Sequence, residues 1–550
     1  MIIRTKAPRQ LALDEPIRHE SGHKRPKSRR DFLAAGLTTG PAVVGGTTLL
    51  SLFANPRKAF AALSDDLDQL RGACGIATQG AGRIPFIAFD LAGGANLNGS
   101  EALIGGQGGA LDFLSTAGYA KLGLPGDQLP QSPNAASPTN NFINTSFGLP
   151  WHSDGAMLRG MLEKASPATQ ALTNGAVIAA RSENDTANNP HNPLYGLVKA
   201  GADGSLLTLI GSRTSDSGGN SMAPASMIDL GARPTKVDRA SDVTGLVDTG
   251  QLGQLFPDSA DTIGVLEAIA RISGGAGSSA SGKLGAVNMG TRDAAIKEAV
   301  RCGYIKSADL VDRFGTPATL NPDLDPLIVD QAGSPGTGIF TAAEYANDAE
   351  FRKAAAVMKM VVNGFAGAGT IAMGGYDYHG QGRATGEVRN LRAGRCIGAC
   401  LEYARRVGVP LMVYVFSDGS LNANGTMDTT VDGRGKFMWA SDNQSTAASI
   451  MLVFNPGRRA TLLDGAGGYP AARHQQIGYF TADGSVATTS HPGANAVNLL
   501  VEVVILNYLA LHGLQGQLPT FLGTTGLPMG QIDQWTAFSP ICNGVITSPV

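Results

Sequence analysis

Short apolar runs without polar alternation recur along the chain and predict buried β-strands. The clearest runs are 85–89 (PFIAF), 176–180 (AVIAA), 206–210 (LLTLI), 370–373 (TIAM), 411–416 (LMVYVF) and 450–454 (IMLVF). A continuous apolar sequence is typical of strands in a sheet that is covered on both faces, whereas a half-exposed strand alternates. The runs therefore predict a largely parallel, buried sheet.

Helical periodicity separates these runs and completes an α/β pattern. The helical segments are 155–164, 260–272, 351–365, 388–407 and a C-terminal stretch, 494–511. Alternating strands and helices predict an α/β sandwich with a mostly parallel sheet. The last segment is apolar enough to suggest a membrane span, but Asn498, Glu502 and Asn507 interrupt it. We expect a buried core helix there and no transmembrane helix in the mature chain.

Two stretches, 93–150 and 212–345, are crowded with Gly, Ser, Asn, Pro and Asp. They predict long loops or insertions over the carboxyl edge of the sheet, which is where open α/β folds bind ligands. The composition agrees, because Gly occurs 73 times in 550 residues and charged residues make up only 16%. Such a chain is rich in tight turns.

The N-terminal segment has the order of a twin-arginine export signal. Basic residues precede Ser28-Arg29-Arg30-Asp31-Phe32-Leu33, a moderately apolar stretch follows, and Ala59-Phe60-Ala61 is a small-x-small cleavage site. We expect residues 1–61 to be a signal peptide and residues 62–550 to form a single α/β domain with an insertion at about 212–345. The protein is then periplasmic or extracellular.

Charge argues against nucleic acid as a partner. The whole chain has a formal net charge of -2, and removal of residues 1–61 takes away eleven Lys+Arg and four Asp+Glu, which leaves 32 basic and 41 acidic residues. An acidic exported protein repels anionic polymers. Low charge and long loops suit partners in the cell envelope or at the cell surface.

The five cysteines carry no metal-binding or redox spacing. In an oxidising compartment one or two pairs can be bridged, and the remaining thiol is free or intermolecular. Cys396 and Cys400 are four residues apart on a predicted helix, where a disulfide would be strained. We expect them to be small buried side chains.

Polar clusters follow the predicted strands and are the places for chemistry. They are Asp90 to Gly99, Arg181 to Thr186 with Asn188 to His191, Gly374 to His379, Ser417-Asp418, and Asp442-Asn443 just before the last strand. No GxSxG, HExxH or GxGxxG motif accompanies them, so ordinary α/β-hydrolase, zincin and dinucleotide-binding functions lack support.

Asp377-x-His379 is the most suggestive pair, because a carboxylate and an imidazole two residues apart at a strand exit can chelate one divalent metal. The alternative is that Asp377 caps the following helix and His379 packs on the loop. Asp90 is either a further oxygen ligand or an Asp that hydrogen-bonds the Gly-rich turn after it.

The polar clusters named above follow a twin-arginine signal, and their order along the chain resembles the motif order of an exported bacterial family. This family is number 1501 among the domains of unknown function. That family is itself similar to the alkaline phosphatase and sulfatase superfamily. The order is matched from about residue 84 to residue 512, most closely at Gly374-Gly375-Tyr376-Asp377-Tyr378-His379. The resemblance implies a three-layer α/β/α sandwich with a mostly parallel sheet and long Gly-rich insertions.

Other segments depart from the family pattern. Asn96 stands where the family has Asp, and Pro190-His191 keeps a His but loses the preceding Ser. Ser417-Asp418 lacks the Phe-Gly-Arg that follows in the family, and Asp442-Asn443 replaces Asp-His. An Asp-to-Asn change removes a negative charge from a metal site, and a His-to-Asn change removes a strong nitrogen donor.

The resemblance implies one or two divalent metals (Zn, Mg, Mn or Ca), or none if the site has been lost. The implied ligands are Asp377, His379 and Asp442, with Asp90, Asn96 or Asn443 completing the set, and His474 or His491 as substitute imidazoles. His191 and Asp418 are further site candidates, and Ser182 and Thr186 are the candidate nucleophiles. Two functions stay open: a degenerate, non-catalytic binding or assembly protein, and a metal-dependent hydrolase of phosphate or sulfate esters.

Overall fold

The computed structural model of the chain describes residue 74 and residues 82–182, 189–247, 259–274, 292–314, 317–380 and 382–550. The expected signal peptide and Thr186 lie outside these residues. The chain divides into two compact units, Met1–Asp66 with Phe256–Asp312, and Leu67–Leu255 with Arg313–Val550. The second unit contains the sheet and the candidate site.

The strands of the described residues are numbered in chain order. They are β1 (Phe86–Leu91), β2 (Ile143–Asn144), β3 (Trp151–His152), β4 (Thr173–Ala179), β5 (Leu207–Gly211), β6 (Thr235–Lys236), β7 (Ala366–Met373), β8 (Leu411–Phe416), β9 (Leu421–Met427), β10 (Phe437–Asp442), β11 (Ala448–Phe454), β12 (Gln476–Ile477), β13 (Cys542–Asn543) and β14 (Val545–Pro549).

The α-helices are numbered in the same way. They are α1 (Thr116–Lys121), α2 (Ala156–Lys164), α3 (Pro167–Leu172), α4 (Leu194–Lys199), α5 (Ala240–Gly245), α6 (Ser259–Gly274), α7 (Asp293–Phe314), α8 (Ala342–Asn347), α9 (Ala349–Val362), α10 (Arg383–Val407), α11 (Ala471–Gln475), α12 (Val497–Leu511) and α13 (Leu518–Leu522).

Eight strands form one sheet in the order β12-β4-β11-β8-β1-β7-β5-β6. Neighbouring strands are parallel except at β11, which is antiparallel to both β4 and β8. The predicted α/β class with a mostly parallel sheet is therefore confirmed. The six apolar runs correspond to β1, β4, β5, β7, β8 and β11, and the five helical patterns to α2, α6, α9, α10 and α12. The stretch 212–345, predicted to hold long loops or an insertion with a helix at 260–272, contains α5, α6, α7 and the start of α8.

Helices cover both faces of the sheet. On one face, alternate residues such as Phe86 and Ala88 join a core with α12. On the other, a side chain at Gly369 in β7 would meet Val357 and Val361 of α9. Both faces exclude water, which explains why the strands read as continuous apolar runs.

The apolar C-terminal segment is the core helix α12, as predicted. The hydroxyl of Tyr508 in this helix donates to the Ile84 carbonyl oxygen at 2.9 Å, just before β1. Within the described part of the chain, no helix combines the length and apolarity that a membrane span requires. Cys396 and Cys400 are buried free thiols on α10, also as predicted, and Cys542 is a third.

Helices α2 and α10 pack unusually closely, and glycines make this possible. A Cβ on Gly160 would collide with the Leu391 carbonyl oxygen, and one on Gly394 would collide with the Met157 carbonyl oxygen. A Cβ on Gly398 would lie 2.7 Å from the Met161 carbonyl oxygen. The obstructing atoms are backbone, so no side chain can rotate away. This contact fixes the position of α10, the helix that follows the candidate ligands Asp377 and His379.

We expect Gly394→Ala to destabilise the protein although Ala is the better helix former. The propensity gain is at most ~1 kcal/mol, whereas forcing two packed helices apart costs about 1–3 kcal/mol. Urea unfolding at constant pH measures the difference. Gly245→Ala in α5 is the control, because nothing lies within 4 Å of its added Cβ. Equal stability of the Gly394→Ala and Gly245→Ala variants would contradict the proposed packing.

Candidate metal site

The strand directions bring the polar clusters to one edge of the sheet. Strands β1, β4, β5, β7 and β8 run in the same direction, so the residues that follow each of them meet there. Strand β11 runs the other way and therefore begins at this edge. The residues that precede β11, including Asp442, are thus delivered to the carboxyl ends of the parallel strands, where open α/β sheets bind ligands.

The segment after β7 alternates buried and exposed side chains. Tyr376 and Tyr378 are buried, whereas Asp377 and His379 are exposed. This is the period of extended chain, in which successive side chains point to opposite sides. The carboxylate and the imidazole therefore point to the solvent side together, with the His379 Nε2 atom 3.0 Å from the Asp377 Oδ1 atom.

Hydrogen bonds to the two tyrosines hold this segment in place. The Tyr376 hydroxyl donates to the Arg389 carbonyl oxygen at 2.9 Å. The Tyr378 hydroxyl accepts from the Asn96 backbone N–H at 2.8 Å and lies 3.4 Å from the Asn390 Oδ1 atom. The alternative in which Asp377 caps the next helix is wrong, since α10 begins after Gly382 without a side-chain cap.

Asp442 reaches the cluster from the hairpin of β9 and β10. It ends β10, where it pairs with Leu421 of β9, and the Gly380 N–H donates to the Ala440 carbonyl oxygen at 3.2 Å. One ligand atom from each of Asp377, His379 and Asp442 lies within 4.8 Å of the other two. The resemblance implied these three residues as one ligand set, and the structure brings them together.

The chemistry of the three side chains fits a divalent cation. Two carboxylates and one imidazole are ligands for Zn²⁺ and Mn²⁺, and three protein ligands leave coordination positions open. Partial burial raises the pKa of Asp442, and the negative charge of Asp377 raises it further, although His379 opposes this. A cation placed among the three groups would remove the repulsion between the carboxylates.

Glycines of the turn after β1 lie directly against the cluster. Gly93 has φ +114°, and an added Cβ would lie 2.8 Å from the Asp377 backbone nitrogen. Gly94 has φ +104°, and its Cβ would lie 3.7 Å from the Asp442 Oδ1 atom. The positive φ favours glycine at both positions, and at Gly93 the close approach of Asp377 requires it as well. The Gly-rich turn therefore supports the exposed ligands.

Asp90 belongs to a separate, buried group. Its Oδ2 atom accepts from the backbone N–H groups of Asn220 and Ser221 at 2.7 and 2.8 Å, and its Oδ1 atom accepts from the Ser221 hydroxyl at 3.1 Å. The expectation that Asp90 bonds the turn after it is wrong, because the partners come from the loop after β5. Burial, together with the charge of Asp418, raises the pKa of Asp90 to about 6.

Asp418 and His191 are also buried, and each has polar atoms without a hydrogen-bond partner among the described residues. Asp418 accepts from the Gly93 N–H at 2.7 Å through Oδ1, whereas its Oδ2 atom has no hydrogen-bond partner among the described residues. His191 stacks on Phe416 with ring centroids 5.8 Å apart, and neither ring nitrogen has a partner there. Burial lowers the pKa of His191 to about 3, so the ring is neutral.

The remaining metal candidates are engaged elsewhere. The Asn96 amide donates to the Ser100 hydroxyl at 2.9 Å, and the Asn443 Oδ1 atom accepts from the Ser445 N–H at 2.9 Å. Neither belongs to the convergent group. His474 and His491 bond the carbonyl oxygens of Thr536 and Ala179, both at 2.7 Å.

Of the two candidate nucleophiles, only Ser182 is among the described residues. Ser182 is buried, and its backbone N–H donates to the Gln444 carbonyl oxygen at 3.3 Å. The anchoring by Tyr376 and Tyr378 was not predicted, although the alternation Tyr-Asp-Tyr-His in the sequence indicates it. The contact of Arg389 with Gly374 was not predicted either, and no sequence pattern indicates it.

No family model, no curated protein and no solved structure matches this chain.

The buried carboxyl of Asp90 gives a prediction about pH. Because its pKa is raised from 3.8 to about 6, ionisation of Asp90 opposes folding. This cost is absent below pH ~4 and complete above pH ~6, so stability falls as pH rises through that window. Asp90→Asn keeps the amide oxygen for the two backbone donors. In chelator-treated protein we expect the variant to match the wild type at pH ~4 and to exceed it by up to about 3 kcal/mol at pH ~7.

Urea unfolding from pH 4 to 8 measures this difference. Asp127→Asn, at an exposed position, is the control. A constant loss of stability in Asp90→Asn at every pH would show that its role is hydrogen bonding alone.

Proposed function

We propose that this chain is an exported, metal-dependent hydrolase of phosphate or sulfate esters with an alkaline-phosphatase-like fold, related to family 1501. The observation that carries the proposal is the convergence of Asp377, His379 and Asp442 at the carboxyl edge of a mostly parallel sheet. A ligand set that is exposed to solvent and incomplete by itself is typical of a catalytic metal site rather than a structural one.

A bound divalent cation supplies Lewis-acid chemistry, which polarises an ester oxygen and stabilises the negative charge that develops in hydrolysis. The chain's own residues do the rest. Asp377 and His379 present a carboxylate oxygen and Nε2 from one rigid segment, and Asp442 closes the set from β10. The buried hydroxyls of Tyr376 and Tyr378 hold that segment against α10 and the turn after β1.

A degenerate, non-catalytic binding protein is the second candidate, and one observation favours it. Asn96 and Asn443, which replace ligands of the resembled family, are turned to structural hydrogen bonds and lie outside the convergent group. Ser182 is buried. Among the described residues, the implied ligand set is therefore reduced to Asp377, His379 and Asp442, and no candidate nucleophile is exposed. In this case the cation would serve binding to a partner in the envelope.

Metal content tests the site itself. We expect the protein, purified without chelators, to contain about one equivalent of a divalent metal, and Asp377→Asn and His379→Ala to lose it. Removal of a direct ligand should weaken cation affinity by more than the roughly 10–100-fold seen for second-shell changes. Elemental analysis and calorimetric titration with Zn²⁺ and Mn²⁺ measure this, with exposed Asp533→Asn as the control. Equal metal content in all variants would place the metal elsewhere.

Hydrolysis of aryl phosphate and aryl sulfate esters separates the two candidates. A hydrolase should turn over one of these esters, lose activity on chelation and lose at least about tenfold in kcat/KM with Asp442→Asn. Activity that survives both chelation and His379→Ala would put the chemistry at another site. Bound metal without turnover of either ester would favour the binding protein.

A further inference from the structure

Two arginines from different elements lie against the glycines that begin the metal-bearing segment. Arg389 is on α10, and its Nη1 atom donates to the Gly374 carbonyl oxygen at 3.1 Å. Arg213 follows β5, and its Nη2 atom lies 3.9 Å from the position of a Cβ on Gly374. Both guanidinium groups are therefore close to Gly374, three residues before Asp377.

Neither guanidinium group has a carboxylate partner in the part of the chain that the structure describes. The Arg389 Nε atom is buried without a hydrogen-bond partner there, and the Arg213 side chain is exposed. Two neighbouring basic side chains do have carboxylate partners. Arg392, one turn along α10, pairs with Asp348 at 3.1 Å, and Lys353 donates to the Ala372 carbonyl oxygen and pairs with Glu350 at 2.8 Å.

Gly375 makes room for Arg389. It has φ +84°, and a Cβ at this position would collide with the guanidinium group. The absence of a side chain at Gly375 thus allows the Arg389 guanidinium group to pack against the start of the segment that carries Asp377 and His379. Two guanidinium groups without a carboxylate partner among the described residues therefore lie near Gly374 and Gly375.

We propose that Arg213 and Arg389 form an anion-binding subsite for a tetrahedral oxyanion, a phosphoryl or sulfuryl group, beside the Asp377–His379–Asp442 cluster. Guanidinium forks recognise such oxygens through paired, charge-assisted hydrogen bonds. In the proposed hydrolase, the two arginines would hold the oxyanion of the ester and orient the ester towards the metal ligands. This role in substrate binding rests on the proposed function. Binding of the free anion does not depend on that function and is tested separately.

Calorimetric titration with inorganic phosphate and inorganic sulfate tests the subsite, in chelator-treated protein and in protein supplied with Mn²⁺. We expect the wild type to bind one or both anions in both states. Arg213→Gln and Arg389→Gln should each weaken binding roughly tenfold or more, since hydrogen bonds to charged groups contribute about 1.5–3 kcal/mol. In the chelator-treated protein the double variant should show no binding of either anion.

Arg392→Gln is the matched control, because it removes the same charge from the same helix but leaves Arg389 in place; its anion affinity should equal that of the wild type. Arg389→Lys guards against misfolding of the Gln variant: it keeps the charge and should bind phosphate more weakly than the wild type and more tightly than Arg389→Gln. Equal phosphate affinity in the wild type and the double variant would overturn the subsite, as would absence of binding to the wild type.

The experiment also separates this inference from the proposed function. Phosphate binding that depends on the two arginines in a protein without metal binding or turnover would keep the subsite and remove the hydrolase. Metal-dependent turnover with no effect of Arg213→Gln and Arg389→Gln on phosphate affinity or on KM would keep the hydrolase and remove the subsite.

Discussion

The candidate site depends on how the segment after β7 is held. Tyr376 and Tyr378 are buried, and each hydroxyl bonds a partner on another element, so the backbone between them has little freedom. The pleat of extended chain then turns Asp377 and His379 outward together. Without the two tyrosines, a carboxylate and an imidazole two residues apart on a loop would seldom share a cation. The anchoring therefore converts a short polar motif into a defined pair of ligands.

Helix α10 and a buried group of polar side chains also support the segment after β7. Asn390 of α10 donates to the Asn96 carbonyl oxygen at 3.0 Å and to Glu101 at 2.9 Å. Burial and the charge of Glu387 raise the pKa of Glu101 to about 7, although Lys436 opposes the shift. The close contact of α2 and α10 through Gly160 and Gly394 fixes the helix that carries these groups. Stability of the packed core and geometry of the exposed ligands are thus linked.

The sequence was sufficient to predict the α/β class and six of the eight strands of the sheet, because strands buried on both faces must be continuously apolar. The two-residue edge strands β6 and β12 carry no such signal. The grouping of Asp377, His379 and Asp442 as ligands came from the resemblance to family 1501, and the structure brings one ligand atom of each within 4.8 Å of the other two. The sequence was not sufficient for Asp90, whose partners Asn220 and Ser221 are 130 and 131 positions away and lie in a loop without periodicity. The positions of Arg213 and Arg389 next to Gly374 could not be predicted from the sequence either, because they depend on how α10 and the loop after β5 pack.

Binding of one divalent cation among Asp377, His379 and Asp442 is best tested by anomalous diffraction. The crystals are grown with Zn²⁺ or Mn²⁺, and data are collected on both sides of the metal absorption edge. We expect an anomalous peak within about 2.0–2.3 Å of His379 Nε2 and of one oxygen from each carboxylate. A peak only elsewhere in the protein, or no peak at saturating metal, would contradict this cation site.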